Sequence, residues 1–204
     1  MIFEQTYDII VVGGGHAGCE AAHASAKLGS NVLLITQNLQ TIAQMSCNPA
    51  MGGIAKGQIV REIDALGGMS GIITDSASIQ FRMLNTSKGP AMWSPRAQCD
   101  RMIFAQNWRI ALERNKNISF WQDTVSEITL KKEKVTGVKT NLGFEITAKA
   151  VVLCNGTFLS GMMHIGKQQF SGGRMGERAS EGITAQLIDL GFTNGRMKTG
   201  TPPR

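Results

Sequence analysis

Residues 7–18 read YDIIVVGGGHAG, and this stretch decides the fold of the chain. Its first half is an apolar run rich in β-branched residues, which predicts a short buried strand. An alanine-rich helix is predicted from His16 to Leu28, with Gly29 at its end, and residues 31–36 predict a second buried strand. Residues 7–36 therefore predict a β-α-β unit whose parallel strands are joined by a right-handed crossover.

The glycines of this unit follow the pattern Gly13-x-Gly15-x-x-Gly18, between a predicted strand and a predicted helix. In dinucleotide-binding folds the first glycine makes a tight turn, the second lets the backbone approach a pyrophosphate, and the third lets helix and strand pack closely. The start of the helix then offers free N–H groups to the phosphates. We interpret the motif as a dinucleotide site; the alternative is a glycine turn that binds no ligand.

The usual ribose-binding acid is missing from this site. An Asp or Glu is expected near the end of the second strand, but Thr36, Gln37 and Asn38 occupy that place. A hydroxyl or amide oxygen accepts a weaker, neutral hydrogen bond from a ribose hydroxyl. The missing acid affects only how the ribose is bound, and the glycine pattern predicted to bind the pyrophosphate is complete.

The order of the later elements favours FAD over NAD as the dinucleotide. A small antiparallel meander is predicted after the first unit, and the late apolar strand 150–154 runs into a tight turn at Asn155-Gly156-Thr157 that can return to the same cofactor. NAD dehydrogenases more often continue as a run of β-α units. We therefore predict an α/β, Rossmann-like FAD-binding domain with a parallel sheet plus a small antiparallel β-meander at about residues 118–147.

Further helices are predicted by apolar spacing and by start and stop residues. Ser94 and Pro95 are typical of an N-cap and first helical position, so a helix is expected from Arg96 to Arg114. The other predicted elements are helices at 56–66 and 180–190, a strand at 118–121, and meander strands at 124–130, 135–139 and 144–147 with turns at 132–134 and 141–143.

Charge is unevenly distributed along the 204 residues, whose net charge is +6. Residues 1–81 hold three basic and six acidic residues, whereas residues 82–116 hold seven basic and two acidic ones. Residues 151–204 add six basic and three acidic residues. Such clusters either meet phosphates of a cofactor or nucleic acid, or form a solvated face.

Composition excludes several classes of protein. A hydrophobic fraction of 42% excludes general disorder, and no apolar run approaches the ~20 residues of a membrane helix. The acidic start has no basic region of a secretory signal, and the four cysteines show no CxxC or metal-like spacing. We therefore expect a cytoplasmic protein with thiols, no metal site and no membrane association.

Cys47 is the candidate catalytic residue, either as a thiolate nucleophile or as a redox partner. It lies in a loop before the helix that begins near Lys56, and a helix N-terminus and a nearby cation both lower the pKa of a thiol. The alternative is a structural loop cysteine. Cys19, Cys99 and Cys154 fall in predicted helices or at a strand end, where packing is the expected role.

Several stretches together resemble the MnmG (GidA) family of tRNA-modifying flavoproteins, over essentially the whole chain. The motifs that carry the resemblance are GGGHAG (13–18), QMSCNPA (44–50) with GG (52–53), IDALGG (63–68), QFR (80–82), LN (84–85), SKGPA (87–91), RAQ (96–98), DR (100–101), GTFL (156–159), HIG (164–166), SGGR (171–174) and KTGTPPR (198–204). The Cys-Asn-Pro-Ala and Lys-Thr-Gly-Thr-Pro-Pro-Arg strings are specific to the family, whereas the glycine motif is shared with others.

The resemblance implies an FAD enzyme that adds a carboxymethylaminomethyl or aminomethyl group to C5 of the wobble uridine of certain tRNAs. It implies a homodimer that works with a GTPase partner, MnmE, and NADH as reductant of the flavin, bound outside this chain. The residues it implies for FAD are Gly13, Gly14, Gly15, His16, Ala17 and Gly18, with backbone contacts at Val125 and Ser180, and it makes Cys47 the functional thiol.

Family members are considerably longer than 204 residues, so we expect this chain to be the N-terminal part of an incomplete FAD-binding domain. Two other functions stay open from the sequence. One is a small-molecule flavin oxidoreductase that does not depend on Cys47. The other is a non-catalytic flavin- or RNA-binding module.

Overall fold

The computed structural model describes residues 4–46, 48–198 and 200. The strands are β1 (Tyr7–Val12), β2 (Val32–Thr36), β3 (Ala50–Gly52), β4 (Ser78–Leu84), β5 (Ser94–Cys99), β6 (Ile118–Gln122), β7 (Val125–Lys131), β8 (Lys134–Thr140), β9 (Glu145–Leu153), β10 (Met162–Ile165) and β11 (Gln168–Ser171). The α-helices are α1 (His16–Lys27), α2 (Lys56–Ala65), α3 (Ser70–Ala77), α4 (Arg101–Glu113) and α5 (Ile183–Asp189).

A large sheet with the strand order β6-β2-β1-β9-β8-β7 organises the chain. Strand β1 lies at its centre and pairs in parallel with β2 on one side and with β9 on the other. The predicted β-α-β unit of residues 7–36 is confirmed, since β1, α1 and β2 follow in that order. Its strands are mostly apolar, with Asp8 and Thr36 as exceptions, because both faces of the parallel sheet are covered.

Two hydrophobic clusters cover the two faces of this sheet. Val11 and Leu34 face a cluster that includes Phe104 and Trp108 of α4, both fully buried. The neighbouring residues Ile10, Leu33 and Ile35 face the opposite cluster, built with the meander and Ile183 of α5. Successive residues of each strand therefore pack into different hydrophobic clusters, and this alternation fixes the pairing register of the strands.

The meander differs in its bounds from the predicted one at 118–147. Strand β6 pairs in parallel with β2 and so belongs to the parallel part of the sheet. The antiparallel meander consists of β7, β8 and the first residues of β9. The segments 144–147 and 150–154, predicted as separate strands, are one strand, which pairs first with β8 and then with β1.

The helix predicted from Arg96 was wrong at its start. Ser94 and Pro95 begin strand β5, which lies between β3 and β4 in a second, three-stranded antiparallel sheet. Helix α4 begins only at Arg101, because Asp100 is its N-cap and accepts hydrogen bonds from the N–H groups of Met102 and Ile103 at 2.8 and 3.0 Å. Cys99, which the same prediction placed in a helix, ends strand β5.

Removal of this cap provides a test of the helix start. We expect Asp100→Ala to lower the free energy of unfolding by about 1 kcal/mol, because two N–H groups of the first turn lose their acceptor. Asp100→Asn keeps an acceptor oxygen and should stay close to the parent. Chemical denaturation followed by circular dichroism measures the difference, and equal stability of the alanine variant and the parent would contradict the assignment.

Candidate dinucleotide-binding site

The glycine turn lies at the carboxyl edge of the parallel strands, between the ends of β2 and β9. The N–H of Gly13 donates to the carbonyl of Ile35 at 2.8 Å, and the N–H of Cys154 donates to the carbonyl of Val12 at 2.7 Å. The turn is thus fixed to both neighbouring strands. In open α/β sheets this edge is where ligands bind.

Two of the three motif glycines are required by the packing of the chain itself. Gly13 has φ +109°, and a Cβ there would lie 2.4 Å from the carbonyl oxygen of Cys154. A Cβ on Gly18 would lie 1.7 Å from the carbonyl oxygen of Gly13. These two positions keep helix α1 close to strand β1, and any side chain would force them apart.

Gly15 is different, because nothing lies within 4 Å of the position that its Cβ would take. Its backbone is extended, with φ −75°, so a side chain would cause no strain. The residue is exposed and directly precedes α1. The space at Gly15 is therefore not needed by the fold and is open to a ligand that approaches the backbone.

Helix α1 directs its N-terminus at this space. The N–H of Cys19 makes the first helical hydrogen bond, to the carbonyl of Gly15 at 2.9 Å, and the N–H groups before it in the first turn have no partner within the helix. No acidic side chain lies in this turn. Backbone donors and the helix dipole together favour an anion here, such as a diphosphate.

The end of β2 presents Thr36 to the same turn. Its Oγ1 lies 3.0 Å from the position that a Cβ on Gly14 would take. Asn38 is less available, because its side-chain oxygen accepts from the N–H of Gln40 at 2.8 Å and caps a short 3₁₀ turn. Of the residues predicted at the ribose position, Thr36 is thus the one whose hydroxyl borders the glycines.

Asn155, Ser180 and Val125 form a connected group beside the end of β9. The Nδ2 of Asn155 donates to Oγ of Ser180 at 3.4 Å, and Oγ of Ser180 donates to the carbonyl of Val125 at 3.4 Å. The Oδ1 of Asn155 is buried and has no hydrogen-bond partner among the described residues. A buried acceptor without a partner is costly, so this oxygen is a candidate contact for a bound ligand.

The structure brings the predicted residues Val125 and Ser180 together, although their local settings differ from the prediction. Val125 begins strand β7 as expected, whereas Ser180 does not open a helix, since α5 begins at Ile183. The N–H of Ser180 donates to the carbonyl of Phe158, and its carbonyl accepts from the N–H of Ser160. Contact of either residue with a cofactor stays a prediction.

His16 packs beside the turn. Its Nε2 lies 3.2 Å from the carbonyl oxygen of Ala43, and its ring meets Phe104 edge-on with centroids 5.3 Å apart. Burial and the positive charge of Lys56 lower the pKa of His16, and the hydrogen bond to Ala43 opposes them. The imidazole is therefore held neutral, which suits packing against a cofactor better than proton transfer.

Cys47 lies outside the described residues, so its role stays a prediction. The other cysteines have raised pKa values because they are buried: that of Cys19 rises to about 12, and those of Cys99 and Cys154 rise as well. Thiols with raised pKa values are poor nucleophiles. None of these three is therefore a competing reactive cysteine.

Arg174 fixes the residue that precedes Cys47 in the sequence. Its Nη1 donates to Oγ of Ser46 at 2.8 Å, while its Nε donates to Glu177 at 3.1 Å. The guanidinium also lies over the ring of Phe158, 5.7 Å from the centroid. The sequence indicated this arginine only as part of a family motif, because its partner Ser46 is 128 residues away.

Other kinds of site find no support in the described part of the chain. Residues 4–46, 48–198 and 200 contain no group of three His, Cys, Asp or Glu side chains able to hold a metal ion. Over the same residues, no helix has the length and apolar character needed to cross a membrane.

Comparisons with known proteins agree with this geometry. The family model described as Glucose inhibited division protein A, GIDA, matches residues 8–204. A Cytophaga hutchinsonii protein named tRNA uridine 5-carboxymethylaminomethyl modification enzyme MnmG is 67% identical over 198 residues, 97% of this chain and 32% of that protein. The protein of the same name from Christiangramia forsetii is 66% identical over 203 residues, 100% of this chain and 33% of that protein.

A solved structure matches equally well. That of Aquifex aeolicus GidA superposes with a TM-score of 0.92 at 49% identity and covers 97% of this chain and 33% of its own. The Rossmann-like fold predicted from the sequence is thus confirmed. The chain spans about a third of the length of the relatives that it matches.

The pKa of His16 makes stability depend on pH. Because the folded-state pKa lies below the ordinary value of 6.5, the unfolded chain binds the proton more tightly. The free energy of unfolding should therefore fall as the pH drops through 6.5 towards the folded-state pKa. His16→Gln should remove this part of the dependence in chemical denaturation between pH 5 and 8; curves of parent and variant that run parallel would contradict the burial of a neutral imidazole.

Proposed function

Because this chain belongs to the GidA family, we propose that the protein is an FAD-dependent enzyme that modifies the wobble uridine of tRNA. The reaction adds a carboxymethylaminomethyl or aminomethyl group at C5 of the uridine. The observation that carries the proposal is the open space at Gly15, at the N-terminus of α1, in a chain 67% identical to a protein named for this modification.

The residues of the site fit FAD. The diphosphate is assigned to the N–H groups of the first turn of α1, where Gly15 leaves room for it. Thr36 offers a hydroxyl in place of the usual acid, and Asn155 offers a buried oxygen that has no partner among the described residues. When bound, FAD supplies electron transfer, with NADH as the reductant.

The contributions of the protein to this chemistry are binding and positioning. Val125 and Ser180 fix the side chain of Asn155 through the hydrogen bonds described above. The neutral ring of His16 shields the turn without adding charge next to the phosphates. We assign the thiol of Cys47 as the nucleophile, with Arg174 orienting the adjacent Ser46.

The partners proposed for the complete protein are tRNA, a second copy of the chain and the GTPase MnmE. Support for tRNA comes from the names of the relatives and from the basic segment 82–116. Nucleic acid binding draws on such clusters because each neutralised phosphate releases counterions. The homodimer and the GTPase rest on the family resemblance alone.

Gly15→Val tests the cofactor site. The variant should fold normally, because nothing in the chain occupies the space that the side chain would take. It should be purified without flavin, because valine fills the space of the diphosphate. Visible flavin absorbance and the melting temperature measure the two effects in the complete protein.

Gly195→Val is the matched control, since Gly195 also has no atom within 4 Å of its Cβ position and lies outside the site. It should retain flavin at the parent level. A Gly15→Val protein that keeps its flavin would contradict the assignment of the site.

Cys47→Ser tests the catalytic assignment. The variant should retain flavin and lose tRNA modification, because a serine hydroxyl stays protonated at neutral pH and is a far weaker nucleophile than a thiolate. Mass spectrometry of tRNA nucleosides measures the modification. Unchanged modification would leave the thiol a structural role.

The reactivity of the thiols gives an independent readout. A small alkylating reagent at pH 7.5 should label Cys47 ahead of Cys19, Cys99 and Cys154, whose pKa values are raised. Cys154→Ser is the control and should leave the fast phase of labelling unchanged. Loss of the fast phase in Cys154→Ser would show that the fast phase comes from Cys154 and not from Cys47.

A further inference from the structure

The three-stranded sheet β3-β5-β4 has one face that contributes residues to the core and one face that carries two arginines and two glutamines. Residues that lie directly opposite each other in an antiparallel pair project to the same side. Met51 and Ala97 are opposite each other and buried in the core. The alternate residues project to the other side, where two arginines and two glutamines lie beside Leu84, Ala50, Gly52 and the buried Ser94.

Two arginines face each other on the polar side. Arg82 of β4 is directly opposite Arg96 of β5. Like charges in this arrangement repel each other and destabilise the strand pair. Among the residues that the structure describes, neither arginine has a hydrogen bond or an ion pair that would offset this cost.

The strands that carry the pair contain further hydrogen-bond donors and no acidic residue. Gln80 is directly opposite Gln98, one alternate position along the strands. On the third strand the same face carries Ala50 and Gly52, which do not rise above the sheet. The strands 50–52, 78–84 and 94–99 contain no Asp or Glu at all. The face thus carries two positive charges and several side-chain N–H donors.

We infer that Arg82 and Arg96 form a phosphate-binding subsite for the backbone of the tRNA substrate, with Gln80 and Gln98 as flanking donors. The inference rests on the function proposed above. Two guanidinium groups side by side match the non-bridging oxygens of the RNA backbone, which accept charge-assisted hydrogen bonds, and each phosphodiester brings one negative charge to the pair. The repulsion between the arginines is then relieved by binding.

A phosphate of FAD has the same chemistry and is the alternative occupant of the arginine pair. The diphosphate of FAD already has a place at Gly15, where backbone donors meet it, and so it does not need these arginines. Arg82 is exposed and Arg96 is half-buried, so the pair is open to a ligand that approaches from solvent, as a long polyanion does. RNA is therefore the occupant that the observations favour, and the experiment separates the two.

The test compares Arg82→Gln/Arg96→Gln with the parent in the complete, flavin-loaded protein. Binding of substrate tRNA should weaken about tenfold or more, since charge-assisted hydrogen bonds are lost. The slope of log Kd against log salt should fall by about 0.7–0.9 for each phosphate contact removed. Flavin content should stay at the parent level, and the melting temperature should not fall, since a repulsive pair has been removed.

Two further variants control for charge and geometry. Lys131 and Lys134 are also directly opposite each other, at the exposed tip of the β7–β8 hairpin. Lys131→Gln/Lys134→Gln removes the same charge and should leave tRNA binding unchanged. Arg82→Lys/Arg96→Lys keeps the charge but loses the bidentate geometry, so it should keep the salt slope while binding more weakly than the parent.

Three outcomes would overturn the inference. Unchanged tRNA affinity and salt slope in Arg82→Gln/Arg96→Gln would exclude a phosphate contact at this pair. Loss of flavin from that variant would assign the anion to the cofactor instead. A parent protein that neither binds nor modifies tRNA would overturn both the proposed function and this subsite. If the parent modifies tRNA and the double variant binds tRNA equally well, only the subsite is overturned.

Discussion

The close contact between strand β1 and helix α1 is the constraint on which the rest of the structure depends. Gly18 packs against the carbonyl of Gly13, and Gly13 packs against the carbonyl of Cys154 in the neighbouring strand. A side chain at either position would separate the helix from the sheet. Because these contacts tie β1, α1 and β9 together, the space above Gly15 has a fixed shape before any ligand arrives.

Local sequence patterns predicted the β-α-β unit and helix α2 but gave no signal for helix α3 or the β10–β11 hairpin. The unit 7–36 and helix α2 have their stop and start residues nearby, so their bounds came out within a residue or two. Ser94 and Pro95 show the opposite case. They have the local pattern of a helix start, but β5 is held between β3 and β4, and this pairing with distant strands outweighs a capping preference. Strand β6 likewise takes its place from β2, more than 80 residues earlier.

The candidate site likewise has parts that the sequence predicted and parts that it did not. The glycine turn could be predicted because its pattern follows from backbone geometry within six residues. The buried oxygen of Asn155 and the contact between Arg174 and Ser46 could not, because they depend on how loops from distant parts of the chain meet. Such contacts leave no periodic signal in a sequence. The family motifs marked the loops that carry them but gave no geometry.

The proposed cofactor site uses no basic side chain, and this leaves the basic residues elsewhere in the chain available for another role. The proposed diphosphate site consists of N–H groups and a helix dipole, so it needs no basic side chain, and residues 1–81 carry an excess of acidic residues. The proposed cofactor site therefore does not use the basic excess of residues 82–116. Within that segment Arg109 is paired with Glu113, whereas Arg82 and Arg96 face each other across a strand pair. Two arginines that repel each other on strands without an acidic residue lower the stability of the sheet, and the phosphate contact that we propose would offset this cost.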